Sequence, residues 1–123
     1  MGVEDALVLA GVLERAQEIV RDKSGTTEKR DVLKASFESY DTVRRGRSQW
    51  LVASSRRQGQ LVKGEVPGIG RDRARFVEDT KERVENIFRF DGKKAVVQAL
   101  EDLDAIIQDH QLASGEETMT ANA

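Results

Sequence analysis

Four stretches of the chain repeat apolar residues at three- and four-residue intervals, which is the spacing of one face of an α-helix. They cover residues 3–22, 28–45, 71–89 and 93–112. Polar and charged residues occupy most of the other positions in each stretch. The pattern therefore predicts an all-α protein, a small bundle of four to five helices.

Residues at the ends of the first two stretches favour particular helix boundaries. Gly25 is a C-terminal stop for the first helix, and Thr27 can cap the second. Gly46 is predicted to end the second helix. We expect these two helices to form an antiparallel hairpin.

Each predicted helix has one apolar face, which we expect to form the core. These faces consist of Ala6, Leu9, Leu13, Ala16 and Val20; Leu33, Phe37, Tyr40 and Val43; Ala74, Val77, Val84 and Phe88; and Val96, Leu100, Leu103, Ile107 and Leu112. Lys81 is the only charged residue on the third face. The last helix is predicted to be the most hydrophobic, with an acidic and solvated opposite side.

The central segment, residues 47–70, is rich in glycine and is predicted to be irregular in part. One interpretation continues a helix through residues 50–57. The alternative pairs residues 49–53 with residues 60–64 as a short β-hairpin. We favour the helix, because an isolated two-stranded hairpin is only marginally stable in water.

The length of the chain fits one domain, and we assign residues 1–113 to a single helical domain. Residues 114–123 are small or polar and show no periodicity. Such a composition is typical of a flexible or partner-bound tail.

Residues that could carry catalysis are scarce in the sequence. His110 is the only histidine, and the chain has no cysteine, so a transition-metal site or a thiolate nucleophile is not expected. No Lys-Ser or Lys-Thr pair follows the glycine-rich stretch, which also lacks the third glycine of a dinucleotide-binding fingerprint. We therefore predict a protein that is not an enzyme and that holds no cofactor and no metal.

Targeting signals are also missing from the sequence. No apolar run approaches the ~20 residues of a membrane helix. Glu4 and Asp5 are unlike the start of a secretory signal, and Ala6 replaces the Ser or Thr of a myristoylation site. These features predict a protein that is neither secreted through a signal peptide nor embedded in a membrane, in the cytoplasm or within a virion.

The charged residues are unevenly distributed, although the formal net charge is only −2. Residues 1–42 sum to −3, residues 43–75 to +7 and residues 76–123 to −6. A polyanion could be bound locally by the basic middle. The alternative is that the acidic segments pair with it.

Residues 66–77 read Val-Pro-Gly-Ile-Gly-Arg-Asp-Arg-Ala-Arg-Phe-Val. This stretch resembles the helix-hairpin-helix motif of DNA-binding proteins that lack sequence specificity. The resemblance implies that Gly68, Ile69 and Gly70 contact phosphate and that Ala74 and Val77 pack the two helices together. The sequence departs from the motif in two ways, since a glycine interrupts the expected preceding helix and no second copy is present. The alternative is a tight turn between two helices.

Arginines surround both the glycine-rich motif and the single tryptophan, Trp50. The candidate nucleic-acid-binding arginines are Arg71, Arg73 and Arg75 beside the motif, and Arg44, Arg45, Arg47, Arg56 and Arg57 around the tryptophan. Arginine can hold phosphate in a bidentate manner, and an exposed tryptophan can stack on a base. The alternative for Trp50 is a core anchor.

The sequence therefore predicts a non-catalytic structural or adaptor protein of a nucleic-acid-containing assembly, for example a virion or packaging component. Its expected partners are other protein subunits, in a homo-oligomer or a larger assembly, and DNA contacted through phosphates. Two alternatives are a free DNA-binding module that uses the helix-hairpin-helix-like turn, and a small protein-binding regulator.

Overall fold

The computed structural model of the chain describes residues 2–22 and 27–121, the side chain of Thr118 excepted. These residues form four α-helices, α1 (Gly2–Arg21), α2 (Lys29–Lys63), α3 (Arg73–Phe88) and α4 (Gly92–Ala121). No strand occurs among them. The all-α prediction is confirmed, with four helices.

Helix α2 continues through both of its internal glycines, Gly46 and Gly59. The prediction that Gly46 ends the second helix was therefore wrong, and so was the β-hairpin alternative. A glycine inside a helix costs only about 1 kcal/mol relative to alanine, which the helix-forming Arg, Gln, Leu and Ala residues around it can offset. The irregular glycine-rich segment is reduced to residues 64–72.

The actual end of α2 is at Gly64, which adopts a φ of 73°. The Gly64 amide donates to the Leu61 carbonyl at 3.0 Å, and the Glu65 amide donates to the Gln60 carbonyl at 2.9 Å. This pair of bonds is a Schellman motif, in which a left-handed residue just past the helix satisfies its last carbonyls. The glycine at position 64 therefore sets the length of α2.

The start of α2 also differs from the prediction. Gly25 lies outside the described residues. Thr27 lies two residues before the helix, and its Oγ1 accepts a hydrogen bond from Gln111 Nε2 at 3.3 Å. The Glu28 carbonyl accepts the first bond of the helix, from the Val32 amide at 3.1 Å. Thr27 thus occupies the position before the cap.

The chain divides into two compact units, which we call unit 1 (residues 1–44 and 92–123) and unit 2 (residues 45–91). The prediction of a single domain over residues 1–113 stays a prediction, because a compact unit is not by itself an independent folding domain.

Unit 1 has an apolar core built from α1, the first part of α2, and α4. Its buried members are Val8, Val12, Ala16, Val32, Ala35, Ala99, Leu103 and Ile107. Helix α1 approaches α4 closely at Gly11, where an added Cβ would lie 2.9 Å from Val96 Cγ1. The lack of a side chain at Gly11 therefore permits this approach.

The buried faces of α1 and α2 are rotated by about one residue from the predicted ones. In α1 the buried residues include Val8 and Val12, whereas Ala6 and Val20 of the predicted face are exposed. Helix α1 carries apolar residues on most of its sides, so periodicity alone does not select one of them. Packing against the other helices makes the selection.

In α2, Leu33 and Phe37 were predicted to be buried but are exposed. The other buried residues near Val32 have small side chains. They are Ala35, Ser36 and Ser39. Each serine hydroxyl donates to a backbone carbonyl one turn earlier, at 2.7 Å for Ser36 and 2.9 Å for Ser39. A satisfied hydroxyl can be buried at little cost, and a small residue allows close helix packing.

Unit 2 consists of the second part of α2, the glycine-rich turn and α3. Its buried apolar residues among those described are Leu61 and Val66. Helix α3 has no buried residue at all. The prediction that the apolar face of α3 forms core was therefore wrong, because α3 turns a polar face toward α2.

Helix α4 extends through residues 114–121, which the sequence assigned to a flexible or partner-bound tail. Described side chains in this part are exposed. The helical conformation shows that the helix continues beyond residue 113, and the interpretation of these residues as a flexible or partner-bound tail stays a prediction. Within residues 2–22 and 27–121, no helix has both the length and the apolar character needed to cross a bilayer.

Candidate functional site

The turn that resembles a helix-hairpin-helix motif has most of its backbone amides bonded internally. Ile69 and Gly70 donate to the Val66 carbonyl at 3.2 and 3.0 Å, and Gly68 has a φ of 80°. A proline followed by a glycine of positive φ, closed by an i to i+3 bond, is a type II turn. The amides of Ile69 and Gly70, two of the three residues predicted to contact phosphate, are thus used to close the turn.

The first turn of α3 is capped by the chain's own carboxylate. Asp72 Oδ1 accepts hydrogen bonds from the amides of Ala74 at 3.0 Å and Arg75 at 3.3 Å. A helix N-terminus attracts anionic oxygens because of these free amides. At α3 an external anion would have to displace Asp72 to reach them.

The three arginines that follow the turn have different environments. Arg75 donates to the Gly68 carbonyl, and its Nε lies 3.7 Å from Asp72 Oδ2. The stem of Arg71 lies beside Gly64, where an added Cβ would be 3.2 Å from Arg71 Cγ. Arg73 is exposed. Arg71, Arg73 and Gly70 line a shallow cavity of about 300 Å³.

The second group of predicted arginines does not form one surface. Arg44 belongs to unit 1 and is buried, with Nε 2.7 Å from Asp5 Oδ1 and Nη2 3.1 Å from Glu4 Oε2. Arg45 and Arg56 are exposed positions of α2 in unit 2. Burial of Arg44 among carboxylates makes it a structural ion pair and removes it from any accessible basic patch.

Arg47 and Trp50 lie together in unit 2. The Arg47 guanidinium lies 5.2 Å from the centre of the Trp50 ring and 4.9 Å from that of Phe90. It also donates to the carbonyls of Asn86 at 3.3 Å and Ile87 at 3.2 Å. These distances fit cation–π contacts. Trp50, which is only partly buried, therefore stacks on an arginine of its own chain.

Arg57, the last predicted arginine, belongs to a polar cluster between α2 and α3. Its Nη2 and Nε lie 2.6 and 2.9 Å from Asp79 Oδ2. Arg83 Nη1 lies 2.6 Å from Asp79 Oδ1, and Arg83 also donates to Gln58. We call Arg57, Gln58, Asp79 and Arg83 the polar cluster. These polar contacts join α2 to α3 in unit 2, whereas apolar contacts join the helices of unit 1.

Hydrogen bonding from Arg57 lowers the pKa of the Asp79 carboxyl, and the charge of Arg83 acts in the same direction against the effect of burial. The same contact raises the pKa of Arg57. A cavity of about 350 Å³ beside the cluster is lined in part by Trp50, Asp79 and Arg83. A general acid or base works best with a pKa near the operating pH. Asp79 is therefore suited to holding two helices together and not to proton transfer near neutral pH.

Asp79 and Arg83 were absent from the predicted site. Their four-residue spacing on α3 was the available signal, because an acidic residue followed by a basic one at i and i+4 forms a pair on one helix face. The sequence did not show that Arg57, 22 residues earlier, would join them.

The chain is similar to part of several proteins named FAD-dependent monooxygenase. It is 42% identical over 91 residues to FAD-dependent monooxygenase orf3 of Aspergillus niger, with 73% of this chain and 20% of the relative covered. It is 40% identical over 91 residues to an FAD-dependent monooxygenase of Aspergillus terreus, with 74% and 20% covered. A third relative, FAD-dependent monooxygenase sor5 of Hypocrea jecorina, is 34% identical over 113 residues, with 89% and 24% covered. No family model and no solved structure matches the chain.

The chain spans about a fifth of the length of the first two relatives. An alignment over 73% of 123 residues leaves about 33 residues outside it, so it includes residues 34–90 wherever it begins. The shared region therefore contains most of α2 and all of α3.

These relatives overturn the predicted function. The prediction of a structural or adaptor protein of a nucleic-acid-containing assembly, such as a virion component, was wrong, and so was the prediction of a protein that is not an enzyme, because the relatives are named as monooxygenases. A chain of 123 residues without a catalytic set can still be part of an enzyme. The relatives are about five times longer than the matched region, so their catalytic groups need not lie within it. Phosphate contact by the individual glycines and arginines stays a prediction.

FAD, which the relatives' names include, does not fit the glycine-rich turn of this chain. A dinucleotide site of the Rossmann type needs a strand, a glycine turn and a helix whose free amides face the pyrophosphate. The described residues contain no strand, and the amides of Ile69, Gly70, Ala74 and Arg75 are bonded within the chain. No reaction step through the flavin follows from these residues.

Proposed function

We propose that this chain forms a helical part of an FAD-dependent monooxygenase and that residues outside these 123 hold the flavin. The observation that carries the proposal is the similarity to several proteins of that name, which covers about three quarters of this chain and about a fifth of each relative. Because the glycine-rich turn does not fit a pyrophosphate, the role of the chain is to support the flavin-binding part and not to form it alone.

The surface of unit 1 supports this proposal. Phe37 is 55% exposed and Leu33 is 37% exposed, although both lie at helical spacing on α2. Leu33 also lines a cavity of about 310 Å³ with Leu13 and Val20 of α1. Large apolar side chains grouped on a surface are typical of a contact with another part of a protein.

Expression of the natural transcript that contains these residues tests the proposal. We expect the purified product to show a flavin absorption spectrum and to release FAD on denaturation. The matched control is the 123-residue chain expressed alone, which we expect to be free of flavin.

Two results would contradict the proposal. If the natural product carries no flavin, either by itself or with a co-purifying chain, the chain is not part of such an enzyme. If the 123-residue chain alone binds FAD in a one-to-one ratio, the flavin is held by these residues and not by others.

A further inference from the structure

Helix α3 has an apolar stripe formed by Ala74, Val77, Val84 and Phe88. All four residues are exposed, with Val77 54%, Val84 42% and Phe88 83% accessible to solvent. None of the residues of α3 is buried. The stripe is therefore an apolar face without a partner among the described residues.

The opposite side of α3 is already engaged within unit 2. Asp79 and Arg83 lie on that side and join α3 to Arg57 and Gln58 of α2. A surface helix of a globular protein ordinarily turns its apolar side toward the core and its charged side toward solvent. In α3 the arrangement is reversed, because the charged side makes the contact with α2.

We infer that the apolar stripe of α3 is a docking surface for the flavin-binding body of a monooxygenase, an inference that rests on the proposed function. The shared region includes all of α3, and in the relatives that region is about a fifth of the polypeptide. About four fifths of each relative's length is thus available to cover the stripe. An apolar surface on that body is the occupant whose chemistry matches Val77, Val84 and Phe88.

A second copy of the chain is a poorer occupant of the stripe. Lys81 is exposed and lies near the middle of the stripe. In a symmetric dimer the same patch meets itself, so the centre of one stripe contacts the centre of the other. Two Lys81 ammonium groups would then approach each other, and like charges repel most strongly when they are removed from water.

Thiol labelling of the full natural polypeptide tests the docking surface. Val84→Cys is nearly isosteric, and it places a thiol within the stripe. Glu82→Cys is the matched control, because Glu82 is exposed and lies on another side of the same helix. The 123 residues contain no cysteine, so peptide mass spectrometry identifies each introduced thiol. We expect the thiol of Val84→Cys to react at least about tenfold more slowly than that of Glu82→Cys in the native protein, and equally fast in urea.

Hydroxyl-radical footprinting of the unsubstituted protein provides a second measurement. We expect Phe88 to be oxidised much more slowly in the native polypeptide than in urea, at every protein concentration. Equal native rates for the two thiols, with Phe88 oxidised as in urea, would overturn the inference. Protection that disappears on dilution would also overturn it, because a second copy would then be the occupant.

The flavin content of the same preparation separates the two hypotheses. A flavin-containing protein with a reactive stripe leaves the proposed function intact and rejects the docking surface. A protein without flavin rejects the proposed function, and the docking inference is rejected with it.

Discussion

Units 1 and 2 are built from similar helices but are stabilised by different interactions. In unit 1, eight buried apolar residues from three helices form a continuous core. In unit 2, α2 and α3 are joined by Arg57, Asp79 and Arg83, and the apolar stripe of α3 is exposed. The difference shows that an apolar helical face predicts burial but does not say which surface will cover it.

The two kinds of contact differ in strength and in their dependence on solution conditions. Burial of a large aliphatic side chain contributes about 1.5–3 kcal/mol and hardly depends on pH. An ion pair exposed to solvent contributes about 0–1 kcal/mol. Loss of one partner from a mostly buried pair such as Asp79–Arg83 costs more, because the other charge is left without its partner, and either kind of pair requires ionised groups. We therefore expect unit 1 to be the more stable unit, and each prediction below tests that difference.

The largest effect is expected from Leu103→Ala in the core of unit 1. Leu103 is fully buried, and its truncation leaves a cavity, so we expect a loss of about 3 kcal/mol in the free energy of unfolding. Urea unfolding followed by far-UV circular dichroism measures it. Leu112→Ala is the control on the same helix, because Leu112 is 68% exposed. Equal stabilities of the two variants would show that the core is not where the structure places it.

Asp79→Ala should have the next largest effect, confined to unit 2. The substitution leaves Arg83 without its carboxylate, and the Arg83 side chain is only 11% exposed. We expect a loss of about 2 kcal/mol, below the range for a fully buried pair. Trp50 is the only tryptophan and lies in unit 2, so its fluorescence reports on this unit. Glu78→Ala, an exposed neighbour, should change the same signal little.

Acid should weaken unit 2 before unit 1. The folded-state pKa of Asp79 is lowered by Arg57, so its contribution is complete above the unfolded pKa of about 3.9 and is lost as the pH falls through the folded value. Below about pH 4 the stability advantage of the natural chain over Asp79→Asn should shrink toward zero. Trp50 fluorescence during urea unfolding at several pH values measures it. An advantage that is constant from pH 7 to acid would refute the role of Asp79.

The smallest effects are expected from two glycines inside helices. Gly59→Ala places a methyl group in open space on α2, so we expect a gain of about 0.5–1 kcal/mol. Gly11→Ala has the same intrinsic benefit, but its Cβ would lie 2.9 Å from Val96 Cγ1. Overpacking of a core is destabilising, so we expect no gain or a loss there. Thermal unfolding of both variants distinguishes an open helix surface from a close contact between helices.

The glycines also show how far the sequence could predict the fold. Gly46 was predicted to end a helix, but it lies inside α2. Gly64 ends that helix, because its left-handed backbone and the two bonds of the Schellman motif satisfy the last carbonyls. That geometry depends on the residues that follow, so a single glycine in the sequence does not specify it.

The candidate site also shows that local sequence patterns do not predict which distant residues will meet. A tight turn between helices, the alternative to a phosphate-contacting hairpin, is present at residues 66–70, where proline fixes its own φ and glycine permits a positive φ. The sequence did not show that Arg44 would be buried with Glu4 and Asp5, or that Arg57 would pair with Asp79. Those pairs join residues 22 to 40 positions apart, which local patterns do not connect.

The sequence by itself determined that this chain is helical, approximately where its helices lie, and that α3 has an apolar stripe, because periodicity is a local property of the chain. The tertiary structure decided which face of each helix is buried. That choice depends on which other surfaces are present to pack against it. For α2 the small residues Ala35, Ser36 and Ser39 are buried in preference to Leu33 and Phe37 because they allow close approach. For α3 the charged side faces α2 because Arg57 supplies a partner for Asp79.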